Sequence, residues 1–286
     1  MTNSPSKSDV TFAFFGTSHI AVHVLDALEA AGLLPALVVT LPPPPRGRGM
    51  QAKPTAVEAW ARVRDIPLAH DWREFETRAW DIAIVVDYGK LLPQRMLDIP
   101  RCGFLNVHPS LLPRLRGPSP IRSAILHDER DTGVTVMRVD AELDHGPIVA
   151  QKKVVPPQWP LKNSQFEAFL MSAGGALLTQ VLPLYMEGEI EAREQNHDLA
   201  TFSEKFSKED GLLDLHGDPY KNLLKIRALE GWPGTYAFFE RAGKRLRVQI
   251  LDAHLDGSKL AVDWVKPEGK REMSYEDFLR SGAKPI

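Results

Sequence analysis

Short apolar runs alternate with stretches of helical periodicity along the first half of the chain. Residues 10–15 form a continuous apolar run closed by Gly16, and residues 20–30 follow with apolar side chains at helical spacing. Further apolar runs lie at residues 37–40, 67–69, 82–86 and 104–108, with helical candidates near 55–64 and 93–97 between them. After these, we predict helices at residues 119–127 and 165–186 and strands at residues 134–139 and 148–155. Such alternation is typical of βαβ units, so it predicts an α/β domain with a mostly parallel twisted sheet and helices on both faces.

The pattern changes after about residue 187. Residues 189–201 are polar without clear periodicity, which is typical of a linker. Beyond them lie a predicted helix and three strand-like runs, at residues 235–239, 246–251 and 260–265. We therefore predict an α/β domain over residues 1–188, a linker over 189–201 and a small β-rich domain over 202–286.

Composition and charge narrow the class of protein. The chain has 286 residues, 43% of them hydrophobic, which is enough for a large domain and a smaller one. With 35 basic and 37 acidic residues, the net charge of the chain does not favour binding to nucleic acid. Any nucleic acid would have to bind a local basic patch. A single cysteine, Cys102, fits a reducing compartment. Because we also find neither a signal-peptide core nor an apolar run of roughly 20 residues, we expect a cytoplasmic, monomeric protein without a membrane role.

Two polar residues interrupt the apolar run at residues 104–108. Asn106 and His108 are two positions apart, so on a strand they project to the same side, and Pro109 ends the strand just after them. Ligands bind beyond the carboxyl ends of parallel strands, where this amide and imidazole would converge on one cleft. The alternative is a pair of polar side chains that bond only to nearby loop carbonyls.

Acidic residues cluster after the next predicted strand, in the segment 138–146. Asp144 lies just before Gly146, in a sequence typical of a tight loop, so its carboxylate either faces the cleft of His108 or caps the loop as an Asx turn. The histidines and acidic residues of the two segments also raise the question of a metal site. Because no spacing matches that of a zinc site, we predict that no metal is bound.

Two glycine-containing loops are candidates for binding phosphate. Residues 16–18 offer main-chain N–H groups after the first strand but lack the G-x-G-x-x-G spacing of a dinucleotide site. Gly47, Arg48 and Gly49 form a basic loop that is able to approach a phosphate closely, or is simply a solvated surface loop.

Taken together, these segments resemble the methionyl-tRNA formyltransferase family, one of the groups of enzymes that use 10-formyltetrahydrofolate. The resemblance covers nearly the whole chain and rests on N-x-H-x-S-L-L-P-x-x-x-G at residues 106–117 with L-D-x-G at residues 143–146. That combination is specific to folate-dependent formyl transfer. The resemblance implies a Rossmann-like catalytic domain and an OB-like C-terminal domain. It also implies transfer of a formyl group to the free amino group of methionyl initiator tRNA, for translation initiation.

The resemblance also implies roles for individual residues. Asn106, His108 and Asp144 would form the catalytic triad, with the acceptor amine as nucleophile and no metal. The donor 10-formyltetrahydrofolate would bind residues of two segments, namely Tyr88, Gly89, Leu91, Leu92, Pro93, Val139, Asp140 and Leu143. The tRNA would contact Arg46, Arg48, Lys53, Ser110 and Arg116. A basic stretch at residues 221–247, with seven Lys or Arg against two Glu, would also face the tRNA.

The chain departs from the family pattern at three places, two of which keep the acceptor open. Asp87 stands where the family has a small residue, and it bears on the folate pocket. Met50 replaces a lysine and the C-terminal domain is shortened by one or two strands, and these two departures bear on the grip on tRNA. A sugar-nucleotide N-formyltransferase is therefore an alternative, since it shares the triad and has little use for the loop at residues 47–49. A 10-formyltetrahydrofolate hydrolase and a noncatalytic RNA-binding protein are weaker alternatives, because the basic loop argues against the first and the triad against the second.

Overall fold

The computed structural model describes residues 10–43 and 53–286, and these residues form two compact units. The first unit lies within Met1–Gly117, Thr132–Val154 and Glu167–Phe202, and the second comprises Pro118–Asp131, Val155–Phe166 and Ser203–Ile286. The predicted linker therefore belongs to the first unit, while two short segments from the middle of the chain pack with the C-terminal residues. The predicted domain limits at residues 188 and 202 stay a prediction.

A seven-stranded sheet forms the centre of the first unit. Its strands are β1 Phe12–Gly16, β2 Leu37–Val39, β3 Leu68–Ala69, β4 Ile82–Val86, β5 Phe104–His108, β6 Thr132–Arg138 and β7 Ile148–Val154. In the order β3-β2-β1-β4-β5-β6-β7, the first five strands run parallel, and β6 and β7 are antiparallel to their neighbours. The mostly parallel sheet is thus confirmed. The chain passes from one side of β1 to the other between β3 and β4, which creates the switch point where ligands bind in such sheets.

The helices begin mostly where the periodicity predicts them. They are α1 His19–Ala30, α2 Ala56–Val63, α3 Arg73–Glu76, α4 Gln94–Leu97, α5 Pro120–Leu126, α6 Asn163–Met186, α7 Pro219–Ala228 and α8 Tyr275–Arg280. Ser18 caps α1 by accepting a hydrogen bond from the Ile20 N–H at 3.1 Å, and Thr55 caps α2 through the Glu58 N–H at 3.1 Å. The short helices α3 and α8, of four and six residues, have no predicted counterpart, because one or two turns leave at most a weak helical period.

The long helix α6 contains two glycines at positions of close packing. A Cβ atom on Gly174 would lie 2.5 Å from Val107 Cγ1 of β5, and one on Gly175 would lie 2.6 Å from Ala27 Cβ of α1. By length and mean hydropathy alone, 1.4 over its most apolar window, α6 resembles a membrane-spanning helix. Core helices of soluble proteins share these properties, and the glycine contacts with β5 and α1 are those of a core helix.

An antiparallel sheet forms the centre of the second unit. Its strands are β8 Thr235–Arg241, β9 Lys244–Asp256, β10 Lys259–Pro267, β11 Met273–Ser274 and β12 Lys284–Pro285, in the order β11-β10-β9-β8-β12. The three long strands match the predicted runs and confirm a β-rich C-terminal part. The two edge strands have two residues each, so they are too short to give an alternating pattern in the sequence. Phe239, Ile250, Val265 and Phe278 are fully or almost fully buried in its core.

Candidate active site

The predicted pair of polar residues lies at the end of β5, in the middle of the first unit's sheet. Asn106 is half-buried and lines an open cleft, while His108 is only 4% exposed. The apolar residues of β5 are buried on both faces of the sheet. Burial alone would therefore favour apolar side chains at positions 106 and 108 too, because burying apolar surface lowers the free energy of folding. The polar side chains therefore need specific partners.

The loop after β5, residues 109–117, provides the partner of His108. Its Nε2 atom lies 3.0 Å from the main-chain oxygen of Leu115, and since a carbonyl oxygen only accepts, Nε2 carries a proton and donates it. Leu115 has a left-handed backbone, with φ of 56°, which belongs to the turn that brings its carbonyl back to the strand. The ring nitrogen Nδ1 is consequently the one that remains for chemistry.

Asp144 faces that nitrogen from the loop between β6 and β7. Its Oδ1 atom lies 3.6 Å from His108 Nδ1, which is too long for a hydrogen bond but within the range of an ion pair when the imidazole is protonated. Its Oδ2 atom accepts a hydrogen bond of 2.7 Å from the Gly117 N–H. The side chain is 10% exposed, so this carboxylate is largely shielded from water. The structure thus brings together the residues of the predicted triad.

The loop that carries Asp144 is closed tightly at its base. The Arg138 N–H donates to the Pro147 oxygen at 2.8 Å, and a Cβ atom on Gly146 would lie only 2.0 Å from the Arg138 oxygen. Only glycine fits at this position without moving the loop. Within the loop, Asp140 accepts hydrogen bonds from the Glu142 N–H at 3.0 Å and pairs with His145 Nδ1 at 2.7 Å. An Asx turn thus forms at Asp140, whereas the carboxylate of Asp144, for which we considered such a turn, accepts its hydrogen bond from Gly117.

The cleft beside the triad is lined by the two segments predicted to bind the donor. Of the eight predicted residues, all but Pro93 line it, together with Asn106 and Asp144. Leu91 is 69% exposed and Leu143 50% exposed, so large apolar surface faces the open cleft. Apolar walls with a few convergent polar groups are typical of a small-molecule site.

Hydrogen bonds of Asp87 and Tyr88 fix the start of the first donor-binding segment, which runs from Tyr88 to Pro93. The Tyr88 side chain is buried, its hydroxyl accepts from Trp72 Nε1 at 3.0 Å, and burial raises the pKa of this phenol. Its main chain, not its ring, is therefore the part available to a ligand. Asp87, the departure noted above, lines the cleft and accepts a hydrogen bond from the Ser18 hydroxyl. The extra carboxylate thus has a partner in the loop after β1.

The residues predicted to contact tRNA fall into three groups. Arg46 and Arg48, with the departure Met50, lie outside the described residues. Lys53 is exposed. Ser110 and Arg116 are 3% and 5% exposed, and their polar atoms bond within the protein. The structure therefore does not place these last two side chains at the surface where an RNA would meet them.

Gln195 reaches this site although no sequence pattern predicts it. It lies in the predicted linker, yet it is buried and its amide donates to the main-chain oxygens of Asp144 and Gly146. No periodicity or motif marks such a residue, because its partners are 49 and 51 positions away in the chain. Within residues 10–43 and 53–286, no group of three or more His, Cys, Asp or Glu is arranged to hold a metal ion.

Comparison with known proteins identifies the family. The formyl transferase family model matches residues 9–158, more than half of the chain. The methionyl-tRNA formyltransferase of Chloroflexus aggregans is 41% identical over 244 residues, which cover 82% of this chain and 78% of that protein. That of Paramagnetospirillum magneticum is 38% identical over 299 residues, covering 95% of this chain and 97% of that protein. The chain belongs to the methionyl-tRNA formyltransferase family.

Solved structures agree with this formyltransferase at the level of the fold. An N-formyltransferase from Helicobacter canadensis, in complex with folinic acid and dTDP-3-aminofucose, has a TM-score of 0.62 at 15% identity and covers 88% of this chain and 98% of its own. HypX from Aquifex aeolicus, in complex with tetrahydrofolic acid, has a TM-score of 0.64 at 15% identity and covers 94% of this chain and 46% of its own. At such identities the likeness shows a shared fold and no more.

Proposed function

We propose that this formyltransferase moves a formyl group from 10-formyltetrahydrofolate to the free amino group of methionyl-tRNA. The observation that carries the proposal is the convergence of Asn106, His108 and Asp144 beside an open cleft. An amide, an imidazole and a carboxylate meet the needs of acyl transfer to an amine, which are oxyanion stabilisation and proton transfer.

The cleft suits a folate as the donor. Leu91 and Leu143 offer apolar surface for the faces of a flat ring system, and the main chain from Tyr88 to Leu92 offers polar groups for its edge. The structural neighbours named above were solved with folinic acid or tetrahydrofolic acid, which supports a folate in a protein of this fold.

The triad divides the work of the reaction. The acceptor amine attacks the formyl carbon, a C–N bond forms, and negative charge develops on the formyl oxygen, where the Asn106 amide and a protonated His108 stabilise it. Asp144 holds the imidazolium and takes the proton from the amine, directly or through a water. The bond to the folate N10 then breaks, N10 receives the proton that Asp144 took from the amine, and the formylated amine and tetrahydrofolate leave. The Leu115 carbonyl commits His108 Nε2, so Nδ1 is the nitrogen that takes part.

Several features support a tRNA acceptor. The relatives at 37–41% identity carry the name methionyl-tRNA formyltransferase. In the second unit, Arg245 lies 3.6 Å from the ring centre of Phe238, and Arg247 lies 3.8 Å from that of Tyr236. The two aromatic residues are two positions apart on β8 and the two arginines are two positions apart on β9, so the four side chains form a basic aromatic face. Such surfaces bind nucleic acid through phosphate contacts and base stacking. Together with Arg48 and Lys53, this face supports an RNA over a small sugar nucleotide.

An acceptor panel tests the proposal. Purified protein is mixed with formyl-labelled 10-formyltetrahydrofolate and with methionyl initiator tRNA, methionyl elongator tRNA, a dTDP-amino sugar, or no acceptor. We expect label on methionyl initiator tRNA. Label only on the amino sugar would favour the sugar-nucleotide alternative, and formate release without any acceptor would favour the hydrolase.

A further inference from the structure

A segment that looks like a linker is attached to the first unit at both ends. We name residues 193–202 the strap. At its start, Arg193 and Ile148 of β7 exchange two main-chain hydrogen bonds, of 2.7 and 2.8 Å. At its end, the Thr201 oxygen accepts from the Arg116 N–H at 2.9 Å, and the Thr201 hydroxyl accepts from the Leu115 N–H at 2.9 Å. The strap thus joins the edge of the sheet to the loop that follows His108.

Gln195 is the buried residue of the strap, 5% exposed between neighbours that are exposed. Its Nε2 donates to the Asp144 oxygen at 2.9 Å and to the Gly146 oxygen at 2.8 Å. Its Oε1 accepts from Arg116 Nε at 3.1 Å and from Arg116 Nη2 at 2.7 Å. Both amide hydrogens and both oxygen lone pairs are therefore used, so the orientation of this side chain is fully determined.

Arg116 connects this amide to the two groups proposed to perform the reaction. Its neighbour Leu115 supplies the carbonyl that holds His108, and its other neighbour, Gly117, supplies the N–H that holds Asp144. Three consecutive residues thus bond to His108, to Gln195 and to Asp144. Arg116 Nη2 also lies 2.8 Å from His197 Nδ1, further along the strap.

We infer that Gln195 is a positioning residue, which sets the separation of His108 and Asp144 by holding both of their loops through one amide. The donors of Gln195 fix the Asp144 main chain, and its acceptor fixes Arg116, between the residues that bond to His108 and Asp144. This inference rests on the proposed function, since it concerns the proton transfer of that reaction.

The inference makes a specific kinetic prediction. The parts of the cleft predicted to bind folate have supports of their own, such as the Asp140 bonds to His145 and to the Glu142 N–H. Gln195 bonds instead to the C-terminal end of the loop between β6 and β7, at Asp144 and Gly146. Its loss should therefore lower kcat and leave the KM values of donor and acceptor nearly unchanged.

Gln195→Glu is the decisive variant. The carboxylate keeps an acceptor for the buried Arg116, which preserves the fold, but it has no donor for the Asp144 and Gly146 oxygens and repels them. A displacement of about 1 Å at a reacting group costs about 10²-fold in rate, so we expect kcat to fall about 10- to 100-fold with KM values within about twofold. The exposed neighbour Glu194→Gln is the matched control, with expected wild-type kinetics.

Two results would overturn the inference: kcat of Gln195→Glu within about threefold of wild type, or a rise of KM without a fall of kcat. Circular dichroism determines whether the Gln195→Glu variant is folded. If it is not, Arg116→Lys provides the second test, because the lysine keeps the charge and loses the paired N–H donors, and the same selective fall in kcat is expected. The wild-type rate separates the two proposals: an inactive wild type contradicts the function, whereas an active wild type with an equally active variant contradicts only the role of Gln195.

Discussion

Replacing Asp144 by asparagine tests the proposed triad with the least disturbance of the fold. The amide oxygen of asparagine accepts the Gly117 N–H hydrogen bond that Asp144 Oδ2 accepts at 2.7 Å. The backbone at this position has φ of 51°, in the left-handed region that asparagine tolerates well. We therefore expect the variant to fold and to unfold thermally like the wild type.

The variant loses a negative charge 3.6 Å from His108 Nδ1. Two unit charges at that distance interact with about 4 to 5 kcal/mol at an effective dielectric constant of about 20. This energy corresponds to about three powers of ten in rate. Loss of a general base by itself costs about 10²- to 10⁴-fold, so both routes lead to a fall in kcat/KM of about 10³-fold.

The assay measures initial rates of formyl transfer from 10-formyltetrahydrofolate to methionyl-tRNA, with each substrate varied in turn. Glu187→Gln, which removes an exposed carboxylate after α6, is the control and should retain the wild-type rate. A fall of less than about tenfold in folded Asp144→Asn would refute the role of this carboxylate, because neither the charge nor the proton acceptor would then matter.

Three further predictions concern the RNA contact, the loop and the second unit. Arg48→Ala should raise the KM for methionyl-tRNA and leave that for folate unchanged, and steady-state kinetics should show the effect shrinking as salt increases. Gly146→Ala should lower the melting temperature in calorimetry, because a Cβ atom would lie 2.0 Å from the Arg138 oxygen; an unchanged midpoint would contradict this. In the second unit, the hydrogen bond that His254 Nδ1 donates to the Asp263 carboxylate raises the pKa of His254, so Asp263→Asn should lower that pKa in an NMR titration. The stability from this pair is present below about pH 6.5 and is lost as pH rises through the raised pKa, so melting curves should differ most in mild acid.

Much of the fold could be predicted because burial leaves a local pattern. Strands buried on both faces appear as continuous apolar runs, and long helices appear as periodic ones, so β4, β5, α1 and α6 lie close to their predicted positions. The direction of β6 and β7 could not be predicted in this way, since an antiparallel strand carries no separate local signal. The two-residue strands β11 and β12 are set by pairing with their neighbours and not by their own residues.

The residues of the candidate site also differ in whether a local sequence pattern predicts their place. Asn106 and His108 could be paired from sequence because strand geometry relates positions i and i+2. Arg116 illustrates the opposite case: its charge and its motif suggest a surface role, yet the folded chain buries it against Gln195, 79 positions away. A buried guanidinium depends on partners that only folding assembles.

The sequence by itself determined which residues are available for the proposed reaction and that two of them, Asn106 and His108, lie on one strand, because alternation is a property of neighbouring residues. The tertiary structure alone decided which nitrogen of His108 is committed to Leu115 and how far Asp144 lies from the other. It also decided that the predicted linker reaches back to the loop after His108 and to the loop of Asp144. These features are contacts between distant segments, and their geometry is set by the packing of the whole unit, which no local pattern encodes.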